Sequence, residues 1–170
     1  MKSGKVKIVL AVLLLALGGA VAYALTSKPA APPVTVTALN GQTIDLSQTH
    51  GNVVLVNFWA TSCPGCVEEM PLLIQTYERY KNKGVKLVAV AMSYDKPAYV
   101  ANFVTRYQLP FTVAIDTGGA AAKAFGNVQL TPTSFIINRK GKIVAQKIGN
   151  WKPAELDKAL DKALDKALAS

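Results

Sequence analysis

The only two cysteines of this chain, Cys63 and Cys66, lie three positions apart in the stretch FWATSCPGCVEEMP. A pair at this spacing can be a structural disulfide, half of a metal site or a reactive dithiol. A disulfide between them would close a very short loop and would constrain the unfolded chain very little, which disfavours a stabilising role. Metal binding and redox chemistry remain to be compared.

The chain has few residues that could bind a metal together with the cysteines. Structural zinc sites take four ligands, whereas the chain has the two cysteines and one histidine, His50. Copper takes fewer and softer ligands, so Met70 or Met92 could join the two thiolates. Both methionines occur at positions predicted to face the core, and His50 lies in the turn-like sequence QTHGN. A copper metallochaperone that uses the same dithiol without turnover is therefore the alternative function, and the favoured interpretation needs no metal or cofactor.

A reactive dithiol fits the local sequence better. The apolar, β-branched run NVVLVNFWA ends just before Cys63, and a helical pattern follows it. Cys63 is therefore predicted at a helix N-terminus, where free N–H groups and the helix dipole stabilise a thiolate. Such sites lower a cysteine pKa from about 8.5 to roughly 3.5–7.5. Cys66, one turn into the helix, is predicted to be shielded, so Cys63 would attack a disulfide and Cys66 would resolve the product.

The elements around the cysteines predict a parallel crossover. The segments 52–60 and 85–94 both read as buried strands, and the amphipathic helix between them is expected to end at Gly84. Before them, VTVTAL and QTIDL flank Asn40-Gly41, which predicts an opening β-hairpin.

The remaining segments complete a mixed sheet with helices on both faces. A second helix is closed by Pro110 and followed by the strand FTVAID, and AAAKAF forms a short helix. TSFIINRKGKIVAQKIG predicts a hairpin turned on Lys140-Gly141. The C-terminal helix carries leucines down one side, at Leu156, Leu160, Leu164 and Leu168.

The N-terminus has the layout of an export signal. Three lysines precede an uninterrupted apolar run over residues 8–25, whose length is near the lower limit for spanning a bilayer. Ala22-Tyr23-Ala24 offers a cleavage site, so the segment 1–25 is an anchor or a cleaved signal, and we favour the anchor. TSKPAAPP, residues 26–33, reads as a tether, and one domain is predicted over residues 34–170.

The net charge of the chain and the lysines before its apolar run indicate where the domain is located and which partners it can bind. The net charge is +9, and without Lys2, Lys5, Lys7 and Lys28 fifteen basic residues face ten acidic ones. No basic cluster is interleaved with aromatics, which disfavours nucleic-acid binding. Lysines ahead of an apolar run are expected to stay in the cytoplasm. For a bacterial chain this predicts that the domain lies in the periplasm or at the cell exterior, where cysteines form or exchange disulfides.

FWATSCPGCVEEMP, the strand–helix–strand unit and the later LTPTSFIINRKGKI together resemble the thioredoxin-like family, and within it the membrane-anchored TlpA/ResA-type oxidoreductases. The resemblance covers residues 34–170. It implies an α/β, three-layer thioredoxin-like fold with an N-terminal β-hairpin extension.

The resemblance also implies roles for individual residues. Cys63 would attack and Cys66 would resolve, while Glu69 would exchange a proton with Cys66 after burial raises its pKa. A cis bond is expected between Thr131 and Pro132, which would orient the Thr131 backbone to pair with an extended substrate. Trp59, which gives the site aromatic support, and Pro64 are expected to complete the substrate-binding residues.

Two departures from the family pattern lie beside the cysteines, where residues tune the stability of the thiolate and hence the reduction potential. Ser62 stands where the family has tryptophan, and Gly65 stands where it has proline, with Pro64 moved forward.

The implied function is a periplasmic protein disulfide reductase, for example in cytochrome c maturation or copper-site assembly. The implied partners are protein disulfide substrates and an integral membrane thiol reductase as electron donor, and the protein is expected to be a monomer at the inner membrane.

Overall fold

The computed structural model describes residues 14–15, 17–19, 28–49 and 51–165. The strands in this part are β1 (Thr35–Ala38), β2 (Thr43–Asp45), β3 (Val53–Trp59), β4 (Val85–Ala91), β5 (Thr112–Ile115), β6 (Thr133–Ile137) and β7 (Ile143–Ile148). The helices with complete bounds are α1 (Pro64–Tyr80), α2 (Pro97–Tyr107), α3 (Ala120–Ala124) and α4 (Pro153–Asp165), with 3-10 turns at Lys81–Lys83 and Thr117–Gly119.

The strands form one sheet in the order β2-β1-β5-β4-β3-β6-β7. β3 and β4 are parallel, as are β4 and β5, whereas the outer strands pair antiparallel. β3 is buried along its whole length, as its continuous apolar sequence predicts. The mixed sheet and both predicted hairpins are confirmed.

Helices cover both faces of the sheet, which confirms the predicted layers. Leu73 of α1, Val100 of α2 and Leu156 of α4 share one buried cluster, while Ala121 of α3 belongs to a second cluster with Phe58. In α4, Leu156 and Leu160 are fully buried and Leu164 is half-buried, so the leucine side of the helix docks on the sheet. Leu168 lies outside the described residues.

α1 begins where the sequence predicts but ends at Tyr80, before Gly84. Cys63 is its N-cap residue and Pro64 opens it, a position at which proline loses no helical hydrogen bond. The chain then passes through the 3-10 turn to Gly84, whose φ of 85° is left-handed and suits glycine. β4 starts at the next residue. Because β3 ends at Trp59, shortly before Pro64, the N-terminus of α1 lies at the carboxyl end of β3.

The packed fold starts earlier than residue 34. The Ala31 N–H donates to the Gly141 carbonyl, and the Ile143 N–H donates to the Pro29 carbonyl, each at 2.8 Å. Ala30 thus pairs with Lys142 as an isolated antiparallel bridge, and the Ala31 side chain is buried. Residues 29–31 of the predicted tether, which we call the strap, therefore lie on the β6–β7 hairpin, because its edge offers free backbone groups.

Most of the predicted anchor or signal, residues 1–25, lies outside the described residues, as does His50. Helical backbone is described at 14–15 and 17–19. Within the described ranges no helix combines the length and apolar character that crossing a membrane requires.

Candidate active site

The two cysteines are joined in a disulfide at the start of α1, with their Cα atoms 5.3 Å apart. Cys63 Sγ accepts a hydrogen bond from the Cys66 N–H at 3.2 Å, one of the free donors of the first helical turn. Cys63 is half-buried, whereas only 1% of Cys66 is exposed. The two sulfurs thus differ in access in the direction that the sequence predicts.

The Thr131-Pro132 segment faces Cys63. The peptide bond between these residues is cis, as expected. The Thr131 carbonyl oxygen lies 3.4 Å from Cys63 Sγ, although 68 residues separate them in the chain. Thr131 is half-buried and Pro132 is buried, so the backbone of Thr131 borders the accessible sulfur.

Glu69 is a buried carboxyl group one turn after Cys66. Only 3% of it is exposed, and it lies on the same helical face as Cys66. Burial raises the pKa of Glu69 above its ordinary value, and hydrogen bonds from Trp151 and Asn57 oppose the rise. The predicted direction of the pKa shift is therefore confirmed, with desolvation as its main cause.

A polar network that sequence reasoning missed holds this carboxyl group. Its Oε1 accepts from the Trp151 backbone N–H at 2.7 Å, and its Oε2 accepts from Asn57 Nδ2 at 3.2 Å. Asn57 Nδ2 also donates to Ser134 Oγ at 2.9 Å. One signal was available in the sequence, because Asn57 is the one polar residue in the strand VVLVNFW and a buried amide needs partners.

Asp95 fixes the loop that leads from β3 to the cysteines. Its carboxylate accepts from the Thr61 N–H at 2.6 Å and from the Thr61 hydroxyl at 2.7 Å, and only 8% of Asp95 is exposed. Sequence reasoning missed this contact as well. A signal existed, since Asp95 follows β4, and the carboxyl ends of neighbouring parallel strands meet at one edge of the sheet.

The other predicted substrate-binding residues differ in access. Trp59 has no exposed surface and packs on Phe103, with ring centroids 5.0 Å apart. It therefore supports the site from beneath, and its role in substrate binding stays a prediction. Pro64 is exposed beside Cys63. At Gly65 a Cβ atom would come within 3.0 Å of Asn150 Oδ1, so glycine lets the loop after β7 approach the dithiol.

The two methionines named as possible copper ligands lie in the core. Met70 and Met92 are buried in the two different core clusters. Within the described residues, no group of three or more histidine, cysteine or acidic side chains could hold a metal ion.

A thioredoxin-like sheet with an accessible and a shielded cysteine at a helix N-terminus defines a thiol–disulfide oxidoreductase. The comparisons with known proteins agree. The chain belongs to the Redoxin family, whose model matches residues 26–164.

Relatives identify the branch of the family. The chain is 40% identical over 130 residues to the thiol-disulfide oxidoreductase ResA of Bacillus thuringiensis subsp. konkukian, an alignment that covers 76% of this chain and 74% of the relative. The corresponding ResA of Bacillus anthracis is 41% identical over 127 residues, or 75% and 72% of the two chains. These matches confirm the resemblance seen in the sequence.

Solved structures agree with the fold. StoA from Bacillus subtilis superposes with a TM-score of 0.65 at 28% identity, covering 76% of this chain and 98% of that one. A thiol:disulfide interchange protein of the thioredoxin family from Chlorobium tepidum superposes with a TM-score of 0.74 at 25% identity, covering 82% and 98%.

Proposed function

We propose that this protein reduces disulfide bonds in other proteins outside the cytoplasm. The observation that carries the proposal is the position of Cys63, which caps α1, accepts the Cys66 N–H and lies beside the Thr131 carbonyl. A thiolate at this position is stabilised by the helix N-terminus and can be reached by a substrate. Cys66, buried one turn later, is within bonding distance of Cys63 but shielded from other disulfides.

The reaction is two successive thiol–disulfide exchanges. The Cys63 thiolate attacks one sulfur of the substrate disulfide, forms a mixed disulfide and releases the first substrate thiolate. The Cys66 thiolate then attacks Cys63 Sγ, forms the internal disulfide and releases the second substrate thiolate. Two electrons pass from the dithiol to the substrate. The proton that leaves Cys66 ends on one substrate thiolate, and the other thiolate takes a proton from the solvent.

Glu69 is the proposed acceptor for the proton of Cys66. A carboxyl group whose pKa is raised by burial accepts and returns a proton closer to neutral pH than an ordinary glutamate does. The bonds from Trp151 and Asn57 fix its direction, and helical spacing places it on the face of Cys66.

Substrate contacts are assigned to the backbone of Thr131, to Pro132 and to the exposed ring of Pro64. An extended substrate segment would pair with the Thr131 main chain and so bring its sulfur to Cys63. This mode recognises backbone more than side chains, and it suits an enzyme with several protein substrates.

The cellular setting is proposed from the N-terminal sequence and the relatives. The segment 1–25 would anchor the domain to the inner membrane, with the domain in the periplasm. Proteins of cytochrome c maturation or copper-site assembly would be the substrates, an integral membrane thiol reductase would re-reduce Cys63–Cys66, and the protein would act as a monomer.

A trapping experiment in cells tests the proposal. In Cys66→Ser the thiolate that expels the substrate is gone, so envelope proteins should accumulate as mixed disulfides on Cys63. The matched control, Cys63→Ser, should trap far less, because only 1% of Cys66 is exposed. Mass spectrometry of the trapped species names the substrates.

The redox state of the wild-type pair in the same cells gives the direction of transfer. A reductase should be held mainly as the dithiol, whereas a pair held as the disulfide would indicate an oxidase and contradict the proposal. If neither variant trapped protein and the wild type purified with copper, the copper-carrier alternative would replace it.

A further inference from the structure

A cleft between α1 and α2 adjoins the dithiol. Its volume is about 380 Å³, and its lining includes Thr61, Val67, Asn102, Phe103, Arg106 and Tyr107. We call it the α2 cleft. Thr61 lies shortly before Cys63 in the chain, and the Val67 N–H donates to the Cys63 carbonyl at 3.2 Å. The cleft therefore borders the chain on both sides of the attacking cysteine.

The α2 cleft and Thr131 lie on opposite sides of Cys63. In the sheet, β3 lies between β4 and β6. The helix α2 follows β4, whereas Thr131 lies directly before β6. A substrate segment that pairs with the Thr131 backbone and places its sulfur at Cys63 therefore continues, beyond that sulfur, towards the α2 cleft.

Aromatic rings form the floor and the rim of the α2 cleft. Phe103 is half-buried, and its ring centroid lies 5.0 Å from that of Trp59 and 4.3 Å from that of Tyr107. At the rim, Tyr99 is 56% exposed and Tyr107 is 43% exposed. Two large rings with hydroxyl groups thus face solvent beside the dithiol, and such residues are enriched at protein–protein interfaces.

Two cations at this rim have no acidic partner in the described part of the chain. Arg106 Cζ lies 5.8 Å from the centre of the Tyr107 ring, and both side chains are exposed. Lys96 Nζ lies 5.5 Å from the centre of the Tyr99 ring. Neither cation takes part in an ion pair with a described residue. Asp95, which adjoins Lys96 in the chain, is buried, and its carboxylate accepts two hydrogen bonds from the loop before the cysteines.

We propose that the α2 cleft binds an acidic side chain of the protein substrate, in the segment that continues past its reactive cysteine. The inference rests on the proposed reductase function and adds a selectivity for charge to it. The carboxylate pairs with Arg106 and Lys96, while the neighbouring atoms of the substrate pack on the aromatic rings. A basic side chain meets two like charges at the same place. Complementary charge speeds encounter and fixes register, so substrates with acidic residues near the cysteine are reduced faster.

Single-turnover reduction of designed peptides tests this selectivity. The peptides carry one disulfide and differ only in the residues that flank one cysteine on both sides, which are aspartate, asparagine or lysine. Each rate constant with the reduced protein is divided by that of the same peptide with dithiothreitol, which removes the intrinsic effect of charge on the disulfide. At low salt the aspartate peptide should react about fivefold faster than the asparagine peptide, the scale of exposed charge pairs. High salt should shrink the ratio.

Matched variants locate the selectivity in the cleft. Arg106→Gln should bring the aspartate-to-asparagine ratio closer to one, and Arg106→Glu should make the lysine peptide react faster than the aspartate peptide. Lys86→Glu is the control for Arg106→Glu, since it changes the net charge by the same amount. Lys86 is exposed and pairs with Val54, near the end of the sheet that is remote from the dithiol. Lys86→Glu should keep the wild-type order of the three peptides.

The outcomes separate the two proposals. Equal normalised wild-type rates for the aspartate and asparagine peptides, or a faster lysine peptide, would overturn the role of the α2 cleft and leave the reductase function standing. The same change of ratio in Arg106→Glu and Lys86→Glu would mean that net charge selects the substrate, and it would overturn the role of the cleft too. Failure of the wild type to reduce any peptide would remove the reductase function and with it the inference. The wild-type comparison needs no variant, so a folding defect cannot mask the answer.

Discussion

At the scale of single residues, Glu69 lies where ionisation of its carboxyl group costs free energy. The carboxylate is almost fully buried, and desolvation outweighs the two hydrogen bonds that favour its ionised form. An apolar residue at this position would pack without that cost. Retention of a buried, titratable group one turn from Cys66 therefore agrees better with proton transfer than with stability.

The desolvation of the Glu69 carboxylate predicts how the free energy of unfolding depends on pH. Because the folded pKa of Glu69 lies above its ordinary value of 4.5, the folded state holds a proton that the unfolded state has lost in the interval between the two values. The stabilisation that comes from the raised pKa of Glu69 is fully present at and below the unfolded pKa. It is lost as the pH rises through the folded pKa. Relative to Glu69→Gln, the wild-type protein should therefore lose free energy of unfolding as the pH rises from about 4.5.

Urea unfolding of both oxidised proteins between pH 4 and 8 measures the difference. Glu68→Gln is the matched control, since Glu68 is an exposed neighbour on the same helix, and it should follow the wild type. A constant difference between wild type and Glu69→Gln across this range would mean that Glu69 titrates as an ordinary surface carboxyl group.

At the scale of elements, two loops meet at the dithiol and each is fixed by an acidic side chain. Glu69 ties α1 to the β7–α4 loop through the Trp151 N–H. Asp95 ties the β4–α2 loop to Thr61, two residues before Cys63. The direction of the Cys63 side chain thus depends on a contact between residues 34 positions apart.

Asp95→Asn should weaken this contact and misplace Cys63. An amide can accept from one Thr61 donor but turns its NH₂ group towards the other, so we expect a loss of about 1–3 kcal/mol in the free energy of unfolding. Displacement of the attacking sulfur should also slow peptide reduction, by up to about a hundredfold. Denaturant unfolding and single-turnover rates measure the two effects.

Asp116→Asn is the control for the Asp95 prediction. Asp116 is also buried and accepts two backbone N–H groups, those of Ala121 and Ala122, each at 2.8 Å. Its replacement should cost similar stability but leave the reduction rate near that of the wild type. Parallel losses of rate in both variants would show that Asp95 acts only through global stability.

The same elements show what a sequence can and cannot predict here. Asn40-Gly41, the apolar run 53–59 and the N-cap position of Cys63 are local signals, and the hairpin, the central strand and the start of α1 agree with them. The contacts that position the site are not local. Glu69 and Trp151 are 82 residues apart, and the spacing of their elements depends on which strands become neighbours in the sheet. The complete burial of Trp59 was not predictable for a related reason, since a strand buried on both faces leaves no pattern that tells a surface aromatic from a core one.

At the scale of the whole molecule, the strap and the dithiol lie at opposite ends of the sheet. The strap pairs with residues 141–143, next to the turn of the β6–β7 hairpin. β6 ends at Ile137, opposite Val54, on the side of the hairpin turn. It starts at Thr133, opposite Phe58, beside Pro132 and the cysteines. The strap therefore joins the domain at the end of the sheet that is remote from the dithiol.

The position of the strap predicts where the stable domain begins. A version that starts at Pro29 keeps two backbone hydrogen bonds and the buried Ala31 side chain, which a version starting at Val34 lacks. With about 1 kcal/mol for each hydrogen bond, the longer version should be more stable by about 2 kcal/mol. Urea unfolding measures this, and equal midpoints would mean that the strap contributes no stability. Because the strap is remote from Cys63, both versions should reduce a test peptide at the same rate, whereas a slower short version would show that the hairpin transmits strain from the strap to Thr131.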